Sequence, residues 1–348
     1  MTAAELRRRR AAAQLLAGSA APGVDSAAAV GQLLAVQAQD LRAARLALRT
    51  RGAARSAADV DSALTDDSSL VVSWLLRGTL HLVARDDYVW LHALTAPLGA
   101  ATSRRRLGQL GVRFEDASPV ILRALADEGP LSRAELAERV GAAGIPAEGQ
   151  VMPHLLALAA AHGDVVLGPV FDGAHCFALA RDWLGTPERP PDRNAALAEL
   201  AQRYLRAHGP ATDADLAAWS GLPLGDARAG LAAIAGELTH DGPLLDLAGR
   251  PDPPARLLPR LLAAFDPYLV GWRDRTFAVK AEHARRVHPG GGIVRAAAIA
   301  GGRVVGTWAR RRGRVVIEPF APVPARIDAA LRREAAAVER FEAREPAP

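Results

Sequence analysis

Residues 129–137 read Gly-Pro-Leu-Ser-Arg-Ala-Glu-Leu-Ala, and residues 209–217 read Gly-Pro-Ala-Thr-Asp-Ala-Asp-Leu-Ala. In both stretches Gly-Pro ends one helix, because glycine closes a helix easily and proline cannot continue it. Ser132 then caps the next helix, with Glu135 three residues later completing a capping box, and Thr212 and Asp215 take the same positions in the second stretch. The recurrence predicts two copies of one small module.

The residues around the first stretch predict a winged helix. We expect helices over 118–128, from Ser132 onward and over 148–162. Two apolar, strand-like runs then flank Asp172-Gly173, a dipeptide typical of a β-hairpin turn. Three short helices followed by a hairpin is the order of the winged-helix variant of the helix-turn-helix motif.

The same plan fits the second stretch and the N-terminal part of the chain. Around the second stretch we expect helices over 194–208, from Thr212 and over 222–238, then one short strand over 243–247. The N-terminal part is predicted to form a hairpin about Arg77-Gly78-Thr79. Its predicted helices cover 3–16, 26–36, 57–67 and 86–94.

The pattern changes after residue 250, where the proline-rich stretch 250–254 is typical of a linker. Strands are expected over 294–299, 302–309 and 314–317, before a closing helix over 327–343. The predicted fold class is therefore α+β, mainly α, with three tandem winged-helix modules and a small C-terminal β-barrel-like domain. The predicted domains are 1–116, 117–190, 191–250 and 255–348.

The composition fits a polyanionic partner. The chain has 348 residues and a formal net charge of +5, and Lys280 is its one lysine, so nearly all basic residues are arginine. Arginine binds phosphate oxygens in a bidentate manner. A GC-rich genome that encodes arginine in place of lysine explains the composition equally well.

Metal and cofactor chemistry find little support. Cys176 is the only cysteine, which excludes a disulfide framework and a cysteine-based zinc site. The histidines lack metal-binding spacing, and Gly290-Gly291-Gly292 lacks the setting of a phosphate-binding loop, so we expect no metal and no cofactor. Because no apolar run approaches the ~20 residues of a membrane span, we expect a cytoplasmic, nucleoid-associated monomer that binds no membrane.

The segment Val36-Gln37-Ala38-Gln39-Asp40 contains the residues best suited to chemistry. In an extended chain Gln37 and Gln39 face the same side, where two carboxamides can hold one water molecule from two directions. On a helix they would diverge. The alternative interpretation is that both are polar residues at a helix end, and a winged-helix chain without a chemical site is by default a transcription regulator.

This segment and three others resemble a known family. The others are Trp74-x-x-Arg77-Gly78-Thr79-Leu80-His81, then Ala-Phe-Asp-Pro-Tyr-Leu at 264–269 with Gly271-x-Arg273-Asp274-Arg275, and Gly-Arg-Val-Val-Gly-Thr-Trp at 302–308. In this order, over nearly the whole chain, they resemble the AlkZ-type winged-helix DNA glycosylases. Those bacterial enzymes excise bulky alkylpurines and unhook interstrand crosslinks, and they have three tandem winged helices and a C-terminal β-barrel.

The resemblance implies a monofunctional DNA glycosylase whose catalytic residues are Gln37 and Gln39, which position the water that attacks C1′ of the damaged nucleotide. A carboxamide is no general base near neutral pH. It suffices for N7-alkylguanine and N3-alkyladenine, because the departing base already carries positive charge. No lysine nucleophile is required, so we expect no AP lyase activity, and we interpret Asp40 as structural. The Gln-x-Gln branch of the family is associated with bulky natural-product adducts and self-resistance.

The expected partner is double-stranded DNA carrying alkylated purines. Arg77, Thr79 and His81 are predicted to line its channel, and a wing with a half-buried His81 is the alternative. Arg273 and Arg275 are placed to reach phosphates beside a rigid corner formed by Asp266-Pro267-Tyr268.

Two arginine runs have different expected roles. Arg310, Arg311 and Arg312 are predicted to form a basic hairpin tip that meets the duplex, with a solvated loop as the ordinary alternative. The run from Arg7 to Arg10 is interpreted as a solvated helix face.

Two other functions stay open on the sequence alone. A transcription regulator normally needs a dimerisation element for paired half-sites, and the C-terminal part has no coiled-coil heptads. A family member that binds damaged DNA without cutting the glycosidic bond would have the same motifs, and only an excision assay separates it from an enzyme.

Overall fold

The computed structural model describes residues 1–18, 24–171, 174–185 and 192–343. The described residues are α+β, and roughly half of the chain is helical. The helices are α1 Ala3–Ala13, α2 Ser26–Leu33, α3 Leu41–Thr50, α4 Ala57–Thr65, α5 Arg85–Thr95, α6 Pro97–Gln109, α7 Phe114–Glu128, α8 Arg133–Ala142, α9 Val151–Ala161, α10 Ala180–Leu184, α11 Arg193–His208, α12 Asp213–Ser220, α13 Leu224–Ala233, α14 Pro267–Val270, α15 Ala284–Val287 and α16 Ala325–Ala343. The strands are β1 Val36–Gln37, β2 Leu70–Trp74, β3 Leu80–Ala84, β4 Val165–Phe171, β5 Ala174–Leu179, β6 Leu238–Asp241, β7 Leu244–Leu247, β8 Arg260–Leu262, β9 Ala297–Ala300, β10 Arg303–Arg311 and β11 Arg314–Pro319.

These residues divide into two compact units. The first unit comprises Met1–Val60, Leu197–Trp219 and the described residues of Pro223–Ala347. The second unit comprises the described residues of Asp61–Ala196 together with Ser220–Leu222.

The second unit is built on antiparallel strands in the order β3-β2-β4-β5. β2 pairs with β3 from Leu70 opposite Ala84 to Trp74 opposite Leu80, and the turn between them includes Leu76–Gly78, as the sequence predicts. The strands are apolar on both faces, and α5 and α9 pack against them. The predicted hairpin turn at Asp172-Gly173 lies outside the described residues.

The first Gly-Pro stretch forms the predicted capping box within this unit. Ser132 Oγ accepts the backbone N–H of Glu135 at 3.3 Å, and Glu135 Oε2 accepts the backbone N–H of Ser132 at 2.7 Å. Leu131, just before the cap, makes an isolated antiparallel bridge to Phe177 in β5. The order is therefore helix, bridging residue, two helices and hairpin.

The second Gly-Pro stretch folds in the same way within the first unit. Thr212 Oγ1 accepts the N–H of Asp215 at 3.1 Å, and Asp215 Oδ2 accepts the N–H of Thr212 at 3.0 Å. Ala211 bridges Leu245 in β7. The prediction of a single strand over 243–247 is wrong, because β7 pairs with β6 in a hairpin. The polar, exposed run Leu238–Asp241 has no apolar alternation, which is why the sequence pattern missed β6.

The C-terminal part of the first unit contains a four-stranded antiparallel sheet in the order β11-β10-β9-β8. The expectation of a barrel-like sheet is wrong, since the described strands form no closed barrel and β8 and β11 end the sheet at opposite edges. α16 contacts both edge strands, so a helix covers the sheet instead of a closing strand pair. β8 was not predicted because three residues are too short for a period-two pattern.

The interpretation of Arg7 to Arg10 as a solvated face is wrong for Arg10, which is 4% exposed in the core of the first unit. Its guanidinium carbon lies 4.8 Å from the Trp272 ring centroid and 4.4 Å from that of Phe277. Its Nε donates to the carbonyl of Pro210 at 2.9 Å, and burial lowers its pKa. Four consecutive helical residues point in every direction, so one arginine of the run must face the core.

Candidate active site

The candidate catalytic segment lies between two helices of the first unit. Asp25 caps α2 by accepting the N–H of Ala28 at 2.7 Å. The helix ends at Leu34, whose φ of 67° is rare for a residue with a side chain. That conformation turns the chain out of α2 and into the extended segment β1, which contains Gln37.

Burial alternates along this segment, as expected of an extended chain. Val36 and Ala38 are buried, Gln37 is half-buried and Gln39 is exposed. Gln39 makes no hydrogen bond to any part of the chain that the structure describes, so its carboxamide keeps its donors and acceptor for a ligand or water. The two glutamines therefore differ in setting, one held within the fold and one open.

Asp40 begins the next helix. Its Oδ1 accepts the backbone N–H of Ala43 at 3.3 Å, which makes it the N-cap of α3. A carboxylate in this position satisfies a helix N–H and interacts favourably with the helix dipole. The geometry thus agrees with the interpretation of Asp40 as structural.

A pocket of about 140 Å³ opens beside Asp40. Its walls come from α3, from the residues after β8 and from β9 and β10, all in the first unit. The Trp308 indole, fixed by a 2.8 Å hydrogen bond from Nε1 to the carbonyl of Leu262, forms one apolar wall. The other lining residues are Asp40, Arg42, Ala43, Leu46, Ala263, Ala264, Ala296, Ala309 and Arg310.

Two arginines of this pocket share one buried carboxylate. Arg42 Nε donates to Glu342 Oε1 at 2.6 Å, and Arg310 Nη1 donates to Glu342 Oε2 at 2.8 Å. The Glu342 side chain is 1% exposed, whereas those of Arg42 and Arg310 are 44% and 35% exposed. Arg310 was predicted to contact DNA, and its two partners here were not predicted.

The rest of the predicted basic tip lies in the β10–β11 turn. Arg311 pairs with Glu318 across the hairpin, and Arg312 has a φ of 50° in the turn itself. Arg312 is exposed and makes no ion pair with another described residue. Of the three predicted tip arginines, only Arg310 lines the pocket.

Arg77, Thr79 and His81 lie in the second unit, in and after the turn between β2 and β3. Arg77 has a φ of 55°, and Thr79 Oγ1 donates to the carbonyl of Leu76 at 3.1 Å. His81 is 2% exposed, with Nδ1 2.9 Å from the carbonyl oxygen of Thr79. Burial, and secondarily the charge of Arg77, lowers the pKa of His81 to about 3, so its ring is neutral. This burial favours a role in supporting the turn.

Arg273 and Arg275 follow α14 in the first unit. The backbone N–H of Arg273 donates to Asp215 Oδ1 at 2.9 Å, which leaves its exposed side chain to the solvent. Arg275 is half-buried, with Nε donating to the carbonyl of Trp272 at 3.3 Å, and burial lowers its pKa. Neither residue lines the pocket beside Asp40.

Asp266, in the corner next to these arginines, pairs with Arg51. Two hydrogen bonds of 2.9 Å join the guanidinium to the carboxylate, and neither side chain has any exposed area. The corner is therefore held by a buried ion pair, whose arginine the sequence analysis did not single out.

Among residues 1–18, 24–171, 174–185 and 192–343, no three or more His, Cys, Asp or Glu side chains cluster in a way that could bind a metal ion. Over the same ranges no helix combines the length and apolar character needed to cross a bilayer.

Comparison with known proteins agrees with the four sequence segments. The sequence model of the family described as DNA glycosylase AlkZ-like matches residues 30–341, a range that contains all four. The chain belongs to the AlkZ-like DNA glycosylase family. It is similar to the interstrand DNA cross-link repair glycosylase of Streptomyces sahachiroi, with 28% identity over 337 residues and 89% of each chain covered.

The fold agrees with that of a solved AlkZ-like structure. Streptomyces sahachiroi DNA glycosylase AlkZ superposes with a TM-score of 0.77 at 25% identity, covering 98% of this chain and 96% of that one. The predicted recognition of the family and of an α+β, largely helical fold is confirmed. The number of winged-helix modules and the four domain boundaries stay predictions.

Proposed function

We propose that this protein is a monofunctional DNA glycosylase that hydrolyses the N-glycosidic bond of bulky cationic alkylpurines in duplex DNA. Gln37 and Gln39 hold the attacking water, and N7-alkylguanine and N3-alkyladenine are the leaving bases. The observation that carries the proposal is the extended segment with half-buried Gln37 and open Gln39, in a chain of a DNA glycosylase family. Crosslink unhooking and self-resistance extend the proposal, since the S. sahachiroi relative is named for interstrand cross-link repair.

The chemistry asks little of the enzyme. A base alkylated at N7 or N3 departs as a neutral molecule, so the barrier lies mainly in orienting water against a developing oxocarbenium ion. Two carboxamides supply orientation without taking a proton. An AP lyase step would need an amine nucleophile, and the one lysine of the sequence, Lys280, is exposed and ion-paired with Glu282.

Burial argues against sequence-specific regulation as the main function. A regulator would read bases through the third helix of each predicted module, in the major groove. No residue of α9 is exposed, so that helix has no face to present. The exposed face of α13 consists of Leu224, Gly225, Arg228, Ala229, Ala232 and Ala233, and Arg228 is bonded to Asp213. The amide and lysine side chains that read base edges are missing from this described face.

A single-turnover excision assay tests the proposal. The substrate is duplex DNA with one N7-alkylguanine, carrying either a methyl or a bulky polycyclic substituent. Wild type should release the modified base, and Gln37→Ala and Gln39→Ala should lower the rate strongly, on the order of a hundredfold each, while DNA affinity is retained. Gln32→Ala is the matched control, because Gln32 lies on α2, outside the segment, and bonds to the carbonyl of Arg206.

Each result decides one point. Wild-type rates in both motif variants would show that the glutamines do not position the water. Tight binding without release of any base would favour the non-catalytic alternative.

A further inference from the structure

We infer that Arg42 and Arg310 form a clamp for one phosphodiester of the damaged strand, and that Glu342 is the positioning residue that sets the geometry of the clamp. The inference rests on the proposed function, because it places that phosphodiester next to the nucleotide held at Gln37 and Gln39. Asp40, which directly follows Gln39, and both arginines line the same pocket.

The hydrogen-bond geometry leaves donors for a second anion. A guanidinium carries five N–H groups, and Glu342 uses one edge of Arg42 and one nitrogen of Arg310. The remaining N–H groups of both arginines have no partner among the described residues. Since each oxygen of Glu342 binds a different arginine, the two guanidiniums are held on either side of one carboxylate, beside the pocket.

A comparison within α16 separates a binding role from simple attachment. Glu334 on the same helix also binds two arginines, Arg49 at 3.0 Å and Arg260 at 3.4 Å. Those arginines are only 12% and 15% exposed, so their ion pairs link the elements inside the fold. At Glu342 the carboxylate is more buried, yet its arginines are 44% and 35% exposed.

The pocket favours an anion over a cation or an apolar group. Glu342 is covered by the arginines it binds, and the Asp40 carboxylate is bonded to the α3 N-terminus, so the groups left to face a ligand are N–H donors. The alanines at 43, 263, 264, 296 and 309 provide room without competing polar atoms. Phosphate oxygens are the natural partners of paired guanidiniums in a DNA protein.

Methylphosphonate substitution tests the clamp, since it removes the charge of one chosen phosphate. A series of lesion duplexes is made, each with one neutral linkage at a different position around the adduct. Both the single-turnover rate and the Kd are measured with wild type, Arg42→Gln and Arg310→Gln. The wild type should slow roughly tenfold to a hundredfold at one position, which is the range for a charged hydrogen bond. The arginine variants should be slowed on ordinary DNA and be insensitive to substitution at that position.

Glu342→Gln and Glu334→Gln form a matched pair. Each removes one negative charge from α16, so neither should weaken DNA binding. Only Glu342→Gln should slow excision, by about tenfold, and reduce the effect of the neutral linkage. A purely structural role for Glu342 predicts equal behaviour of the two variants, and that result would overturn the inference.

The outcomes also separate the clamp from the proposed function. If the wild type released no base, the proposed glycosylase would fail, and the Kd series alone would decide the clamp. A loss of affinity at one position that Arg42→Gln abolishes would still support it. Effects of linkage and variant that multiply independently at every position would exclude it.

Discussion

Replacing Asp266 by asparagine should destabilise the protein more than any exposed ion-pair change. Arg51 makes four hydrogen bonds in the core, two of them to Asp266 at 2.9 Å, one to the carbonyl of Ala47 and one to Gln14 Oε1. Asparagine keeps the shape, and keeps the acceptor for the N–H of Tyr268 that caps α14. It removes only the charge, so the guanidinium remains buried without a counterion.

The magnitude follows from that isolation. Removing one partner of a buried ion pair costs about 3–5 kcal/mol, mainly because the other charge stays buried. An unfolding entropy of about 2.1 cal/mol/K per residue gives roughly 0.7 kcal/mol/K for the chain of 348 residues. The expected fall in Tm is therefore about 4–7 °C.

Calorimetry or thermal circular dichroism measures the change, with Glu128→Gln as control. Glu128 binds Arg139 through hydrogen bonds of 3.0 and 2.7 Å, but both side chains are well exposed, and such pairs contribute little. Arg51→Gln combined with Asp266→Asn should lose less than Asp266→Asn alone, because no charge is then left buried. Equal Tm values for Asp266→Asn and Glu128→Gln, or a double variant that loses more than the single, would refute the reasoning.

Two further expectations concern stability. The lowered pKa of His81, about 3, means that the unfolded state binds a proton below its ordinary pKa near 6.5 while the folded state does not. Stability should therefore fall as pH drops from 6.5 toward 3, by up to about 1.4 kcal/mol per pH unit, and urea unfolding of His81→Gln should show a shallower slope. Gly271→Ala would place a Cβ 2.4 Å from Cδ2 of buried His208, so it should cost about 1–3 kcal/mol in urea unfolding. Gly225→Ala, in open space on α13, should instead gain about 0.5–1 kcal/mol, and a loss there would contradict the account.

Local signals in the sequence were sufficient for most elements. The capping box at Ser132 predicts the start of α8, and Gly-Pro at 209–210 predicts the end of α11 at His208. Helix 327–343 is observed as Ala325–Ala343. These features depend on residues three or four apart, which is the range over which caps and helical periodicity act.

The candidate site was only partly predictable because its partners are far apart in the chain. The Gln37 and Gln39 pair follows from a short motif, and Asp40 as a cap follows from the start of α3. Glu342, however, lies 300 residues from Arg42 and 32 from Arg310, and no local pattern indicates such pairing. Among many arginines, charge alone does not distinguish those that bind a buried carboxylate.

The commitment of nearby carboxylates has a consequence for substrate choice on the proposed mechanism. Asp40 is bonded to the N-terminus of α3, and Glu342 is bonded to two arginines, so neither is placed to take a proton from the attacking water. A glutamine pair cannot take it either. Water can then add only to a sugar that has already become strongly cationic, which requires a base that departs without prior protonation. Alkylation at N7 or N3 provides that charge, whereas an unmodified purine or uracil does not, so the absence of a base at the glutamines itself discriminates damaged from normal DNA.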